Sequence, residues 1–111
     1  MRLEAAGGNL PTRYDLSHLR HILSVGSPLV PDIFYWVKHN LSLSVHDTYW
    51  MTETGMISIA NYPSMDIKPG SMGKPLPGIE ASVLDENGES LPPMSMGELA
   101  LKVGWPAMMS D

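Results

Sequence analysis

The chain has 111 residues, 43% hydrophobic and 17% charged, a composition that suits one small folded domain and argues against a disordered tail. Seven Lys and Arg against twelve Asp and Glu give a net charge of −5, and the basic residues are scattered, so no nucleic-acid surface and no basic membrane helix is expected. No apolar run approaches the ~18 residues that cross a bilayer, the first four residues carry no signal-peptide core, and the absence of cysteine removes disulfides and thiolate sites, which fits a reducing cytoplasm.

In chain order, Arg2 to Ala6 reads as the end of a helix stopped by Gly7-Gly8, and a polar turn runs on through Pro11. Asp15-Leu16-Ser17-His18 predicts a helical turn capped by Asp15 or Ser17. His21 to Val25 is a short apolar run ended by Gly26, the pattern of a buried parallel strand. Gly26 to Leu29 is a turn. Pro31 then opens a helix to about Asn40, with Ile33, Trp36, Val37 and Leu41 at the spacing of one buried face. A second strand is expected from Leu43 to His46, which makes a right-handed βαβ unit.

Beyond Ser58 the character changes. Pro63, Pro69, Gly70, Gly73, Pro75, Pro77 and Gly78 mark loop chemistry or the entry to an irregular β structure, with an internal boundary near residues 63–70. Ile79 to Leu84 alternates apolar and polar residues as a half-buried strand does. Asp85-Glu86-Asn87-Gly88 is a turn, in which Asn87-Gly88 suits the positive φ angles of a hairpin. Gly97 to Val103 is a last strand. The fold class is therefore α/β: part of a parallel βαβ layer, then a small, mainly antiparallel, barrel-like β unit.

The chemistry concentrates in His46-Asp47-Thr48-Tyr49-Trp50-Met51-Thr52-Glu53-Thr54-Gly55, placed just after the carboxyl end of the second expected strand. Ligands of open α/β sheets bind outside the carboxyl ends of strands. Hydroxyls for phosphate oxygens, a carboxylate for Mg²⁺ and aromatic faces for a base lie within ten residues. On residue types alone the same stretch also reads as a helix cap with Tyr49 and Trp50 in the core. His18 and His21 stand three apart, but no third ligand accompanies them, so no structural zinc site is expected. The nine methionines are expected to fill core gaps.

Tyr49-Trp50-Met51-Thr52-Glu53-Thr54-Gly55 resembles the Thr-Glu signature of the acyl-adenylate-forming superfamily. Val25-Gly26-Ser27-Pro28-Leu29 resembles that family's loop against adenine, and Lys68 to Gly78 its Pro/Gly passage into a β subdomain. Gly97-Glu98-Leu99-Ala100-Leu101-Lys102 is similar to the strand that follows. Asp47-Thr48-Tyr49-Trp50, Asn61-Tyr62-Pro63 and Gly104-Trp105-Pro106 point to the AMP-forming acetyl-CoA synthetase branch.

The resemblance implies an internal piece of the large N-terminal domain. Residues 1–65 would belong to the α/β adenylate-binding subdomain and residues 66–111 to the barrel-like one. The implied activity is an ATP-dependent acetate–CoA ligase that forms acetyl-AMP and pyrophosphate and then acetyl-CoA, with ATP, Mg²⁺ and CoA as cofactors. Thr52 would contact the α-phosphate and Glu53 would ligate Mg²⁺, the two catalytic positions. Asp47, Thr48 and Tyr49 would line the adenine, with Gly26, Ser27 and Pro28 on its other side. Ser27 stands where this branch often carries Glu, and its hydroxyl reaches less far. Trp50 would close the acyl pocket and keep it acetate-sized.

The family's Gly-rich phosphate loop, ribose-binding segment and adenylation lysine have no counterpart in the chain, and Lys74 and Lys102 sit in other contexts. The chain alone is therefore expected to be inactive and to self-associate through exposed strand edges. A ligase for propionate or another short acid, and a free-standing binding or interaction module without catalysis, are the alternatives.

Overall fold

The computed structural model describes residues 11–110. The helix end expected over Arg2 to Ala6 lies outside them. The described chain opens with a 3-10 turn at Pro11–Arg13. The expected turn at Asp15 is present as a single turn: Asp15 Oδ1 accepts from the Ser17 N–H at 3.0 Å, and the Leu19 N–H reaches the Leu16 carbonyl.

Strand β1 is Ile22–Ser24, helix α1 is Pro31–Leu41 and strand β2 is Val45–Tyr49. β1 and β2 pair in parallel, Ile22 with Val45 and Ser24 with Asp47, so the expected βαβ unit is formed. Pro31 starts α1 because its fixed φ suits the first turn and its missing N–H has no intrahelical partner to lose. Asp32 in the first turn and Lys38 and His39 in the last complement the helix dipole. Ser42, at φ 55°, ends the helix with its N–H on the Lys38 carbonyl.

Leu29, Phe34, Val37 and Val45 form the buried core, flanked by Ile22, Ile33, Trp36, Leu41 and Ile67. Each large apolar side chain so buried contributes about 1.5–3 kcal/mol. The expected stripe of Ile33, Trp36, Val37 and Leu41 omits Phe34, which is among the most deeply buried of all. Further cover comes from the later segment, which brings Ile67 against this cluster and Gly70 close to Pro31.

The second strand differs from expectation. It runs over Val45–Tyr49, not Leu43 to His46, so Asp47, Thr48 and Tyr49 lie inside the strand and not beyond its end. Its length follows from pairing on both edges. Strand β3, Ile59–Ala60, joins it antiparallel, Thr48 against Ala60, and β4, Lys74–Pro75, joins β3. The sheet order is β1-β2-β3-β4. Pro75 is tolerated because β4 is an edge strand.

The second sheet consists of β5, Ala81–Leu84, antiparallel to β6, Glu98–Leu101. It is a two-stranded ribbon, not a closed barrel, among the described residues. After β5 the chain turns tightly at Asp85. Asp85 Oδ1 accepts from the N–H groups of Asn87 and Glu89, both at 2.9 Å. Only Gly88 takes a positive φ, 82°, whereas Asn87 does not. The Gly88 N–H returns to the Asp85 carbonyl, so the turn closes over four residues with one left-handed position, not two. The expected methionine core is absent: no described methionine is buried, and Met94 and Met96 are almost fully exposed in the loop before β6. Loop backbone needs water, which keeps such residues outside.

Candidate adenylate site

The β1–α1 turn and β2 meet at a cleft of about 630 Å³. Gly26, Ser27 and Pro28 form one side, and Asp47, Thr48, Tyr49 and Trp50 form the floor. The parallel pairing produces this meeting, because the register that sets Ser24 beside Asp47 delivers the following turn next to Thr48. Lys68, Pro69, Gly70, Ser71 and Met72 make a third wall. Sequence reasoning assigned no site role to that wall. Its Pro/Gly signal was visible in the sequence, but its place opposite β2 was not.

Asp47 is 6% exposed, with one carboxylate oxygen on the Leu29 N–H at 3.4 Å and the other, Oδ1, buried without a protein partner. An unpartnered buried acceptor on a cleft wall is costly, typically by 1–3 kcal/mol, unless a ligand or water donates to it. Thr48 donates its hydroxyl to the Ser24 carbonyl at 2.8 Å. That bond ties β2 to β1 and leaves only the acceptor capacity of the hydroxyl for anything else. Trp50 is exposed on the cleft and not part of the core.

Beyond Trp50 the chain forms a 3-10 turn, Thr52–Thr54. The two threonines divide the structural and exposed roles. Thr54 is fully buried, and its hydroxyl contacts the Met51 N–H and the Met51 and Met56 carbonyls at 2.8–3.0 Å. Thr52 and Glu53 are exposed, and neither lines the cleft. The cap reading therefore describes Thr54 and Gly55, and leaves the Thr52 and Glu53 side chains outward. The turn is backed from the far end of the chain: Trp105 Nε1 donates to the Thr54 carbonyl at 2.9 Å and the Met109 N–H to that of Glu53 at 2.9 Å. Gly55 allows this approach, since a Cβ there would overlap the Ala107 carbonyl oxygen.

Asn61 is a second residue that sequence reasoning passed over as a site element. It is 3% exposed and lies directly behind the cleft floor. Its side-chain amide donates to the Asp47 carbonyl at 3.0 Å and to the Ser71 carbonyl at 2.8 Å. His46 Nδ1 stands 2.9 Å from the Asn61 carbonyl. A carbonyl only accepts, so Nδ1 carries the proton.

With this geometry established, a family model described as AMP-binding enzyme matches residues 1–110. The chain belongs to the AMP-binding enzyme family. Over 107 residues it is 56% identical to an acetyl-coenzyme A synthetase of Bacillus subtilis, covering 96% of this chain and 19% of that protein. The solved Brucella canis acyl-CoA synthetase superposes with a TM-score of 0.80 at 35% identity, over 89% of this chain and 18% of that one. An anthranilate CoA ligase solved with anthranoyl-AMP gives 0.78 at 32% identity, over 87% and 18%. The chain thus spans about a fifth of the length of these members of the family. Among the described residues no helix is long and apolar enough to cross a membrane.

Proposed function

We propose that the chain is the adenylate-holding part of an AMP-forming acetate–CoA ligase, which makes acetyl-AMP from ATP and acetate and then acetyl-CoA. The observation that carries this reading is the cleft. The residues that resemble the family's adenine loop, Gly26 to Pro28, and those that lead into its Thr-Glu signature, Asp47 to Trp50, converge on it from separate segments of the chain, while Thr52 and Glu53 follow just beyond it. The buried, unpartnered Asp47 Oδ1 suits a ligand that brings an N–H donor, as the amino group of adenine does. The 56% identity to an acetyl-coenzyme A synthetase supports acetate as the acid.

In this reading Tyr49 offers a face to the base, with Gly26, Ser27 and Pro28 opposite. Trp50 limits the length of the acid. Thr52 holds the α-phosphate, and Glu53 ligates Mg²⁺, which neutralises phosphate charge. The exposed Glu53 carboxylate has no hydrogen bond or ion pair among the described residues, so it is free to take that role. Residues 1–65 belong to the α/β adenylate subdomain and residues 66–111 to the β subdomain, whose β4 is the outer strand of the first sheet. ATP, acetate and CoA are the partners, the cytoplasm is the compartment, and the open edge of β1 is a surface for self-association.

The test is acetate-dependent exchange of pyrophosphate into ATP by the full-length protein that carries this chain. Exchange that depends on acetate and Mg²⁺ is expected. Exchange that no carboxylic acid stimulates would overturn the assignment.

A further inference from the structure

We propose that Asn61 is a positioning residue that sets the width of the nucleotide cleft. It lies outside the cleft and acts through the Lys68–Met72 wall. This inference rests on the adenylate reading of the cleft.

The wall is a loop with no strand of its own before β4. Within itself it carries only a local turn, from the Ser71 N–H to the Lys68 carbonyl, and a contact from the Gly73 N–H to Ser71 Oγ. Neither bond reaches across to β2. Among the described residues, the hydrogen-bonded link that does is the Asn61 amide, which holds the Asp47 carbonyl with one N–H and the Ser71 carbonyl with the other. Asp47 is a floor residue and Ser71 a wall residue of the same cleft. The two bonds therefore span floor and wall from behind.

The orientation of the amide is not arbitrary. Both partners are carbonyls, which accept only, so the NH₂ group must face them and the amide oxygen must face away. That oxygen is buried without a partner. The burial of an unpaired acceptor is tolerated because reversing the amide would set its oxygen against two carbonyls. Asn61 is also held at its own backbone, with its N–H on the Asp47 carbonyl at 3.1 Å and its carbonyl on His46. An anchor fixed at three points transmits position to the loop instead of following it. Aspartate has the same shape but no N–H to give. Alanine has neither shape nor donor.

The experiment uses the full-length protein. Asn61→Ala is expected to raise the KM for ATP about tenfold in pyrophosphate exchange. The turnover number at saturating ATP should change less than twofold, and so should the KM for CoA. A purely structural role would lower turnover and stability without separating KM from kcat. Asn61→Asp should show the same split. A KM for ATP within twofold of the parent in a folded variant would overturn the inference.

A second measurement needs no variant: amide exchange of the unaltered protein with and without AMP. Residues 68–72 should gain protection together with residues 47–50. Protection confined to residues 47–50 would show that the wall does not close on nucleotide, and would overturn the inference while leaving the adenylate reading intact. Protection nowhere in the cleft would overturn that reading and this inference together.

Discussion

At the scale of the residue, Trp50 carries the sharpest consequence of the proposed function. Its indole lies on the cleft and is exposed, so its removal does not open the core of this chain. A pocket closed by an indole excludes added methylenes by steric overlap, a stronger effect than the ~1–3 kcal/mol that one methylene gains in an apolar pocket. In the full-length protein Trp50→Gly should move the ratio of kcat/KM values from acetate towards a four- to six-carbon acid by at least tenfold. An unchanged ratio would show that Trp50 is not a pocket wall. Thr52 and Thr54 show how one motif holds two kinds of residue. Thr54 is sealed inside its turn by contacts to Met51 and Met56, whereas Thr52 faces out. Nothing in the letters Thr-Glu-Thr separates them, because the distinction comes from which hydroxyl the turn folds over.

At the scale of the element, the Asp85 turn supplies a pH dependence whose sign can be derived. Hydrogen bonds to the Asp85 carboxylate, first from the Glu89 N–H and then from Asn87, hold its pKa below the ordinary aspartate value, against an opposing desolvation that ranks second to the Glu89 bond. A carboxylate with a depressed folded pKa stabilises the turn above its unfolded pKa, about 4. That contribution is lost as pH falls through the folded value. Amide exchange over residues 85–91 should therefore be faster in Asp85→Ala than in the parent near neutral pH. The difference should shrink as pH falls through the folded value, as the parent's carboxylate takes up its proton as well. A difference that persists unchanged in acid would show that the turn does not depend on the charge.

At the scale of the whole molecule, the chain is drawn out. Its radius of gyration is 16.7 Å, against about 13 Å for a compact chain of this length. Among the described residues β1 is an edge strand, with Leu23 within it 57% exposed and Val25 just after it 50% exposed. Parallel strands are normally paired on both edges and covered on both faces, and an open apolar edge recruits another strand. Expressed alone, the chain should sediment as oligomers or show little amide protection over residues 22–25. A monodisperse monomer protected throughout residues 22–48 would contradict this. The chain alone should also give no acetate-dependent pyrophosphate exchange and bind ATP more weakly than about millimolar, ~4 kcal/mol. Robust exchange would mean that the cleft suffices without a phosphate loop or an adenylation lysine.

The βαβ unit and the Asp85 turn were legible in the letters alone, whereas the facing of Gly26–Pro28 and Asp47–Tyr49 across a cleft was implied only by the family resemblance. The first two are local properties. An apolar run closed by glycine, a proline at a helix start and an Asx turn are written within a few residues, and their physics acts over the same distance. The other features depend on long-range packing. β2 extends through Tyr49 because β1 and β3 both take its backbone groups, and β3 comes from residues 59–60. The cluster that holds Phe34 also takes Ile67 from a distant segment, and the Asn61 amide reaches the Ser71 carbonyl ten residues on. The Thr-Glu turn is backed by Trp105, 51 residues away from Thr54. Each of these depends on a partner whose distance along the chain leaves no trace in local propensity, since a buried amide or indole specifies that a partner must exist without specifying which one.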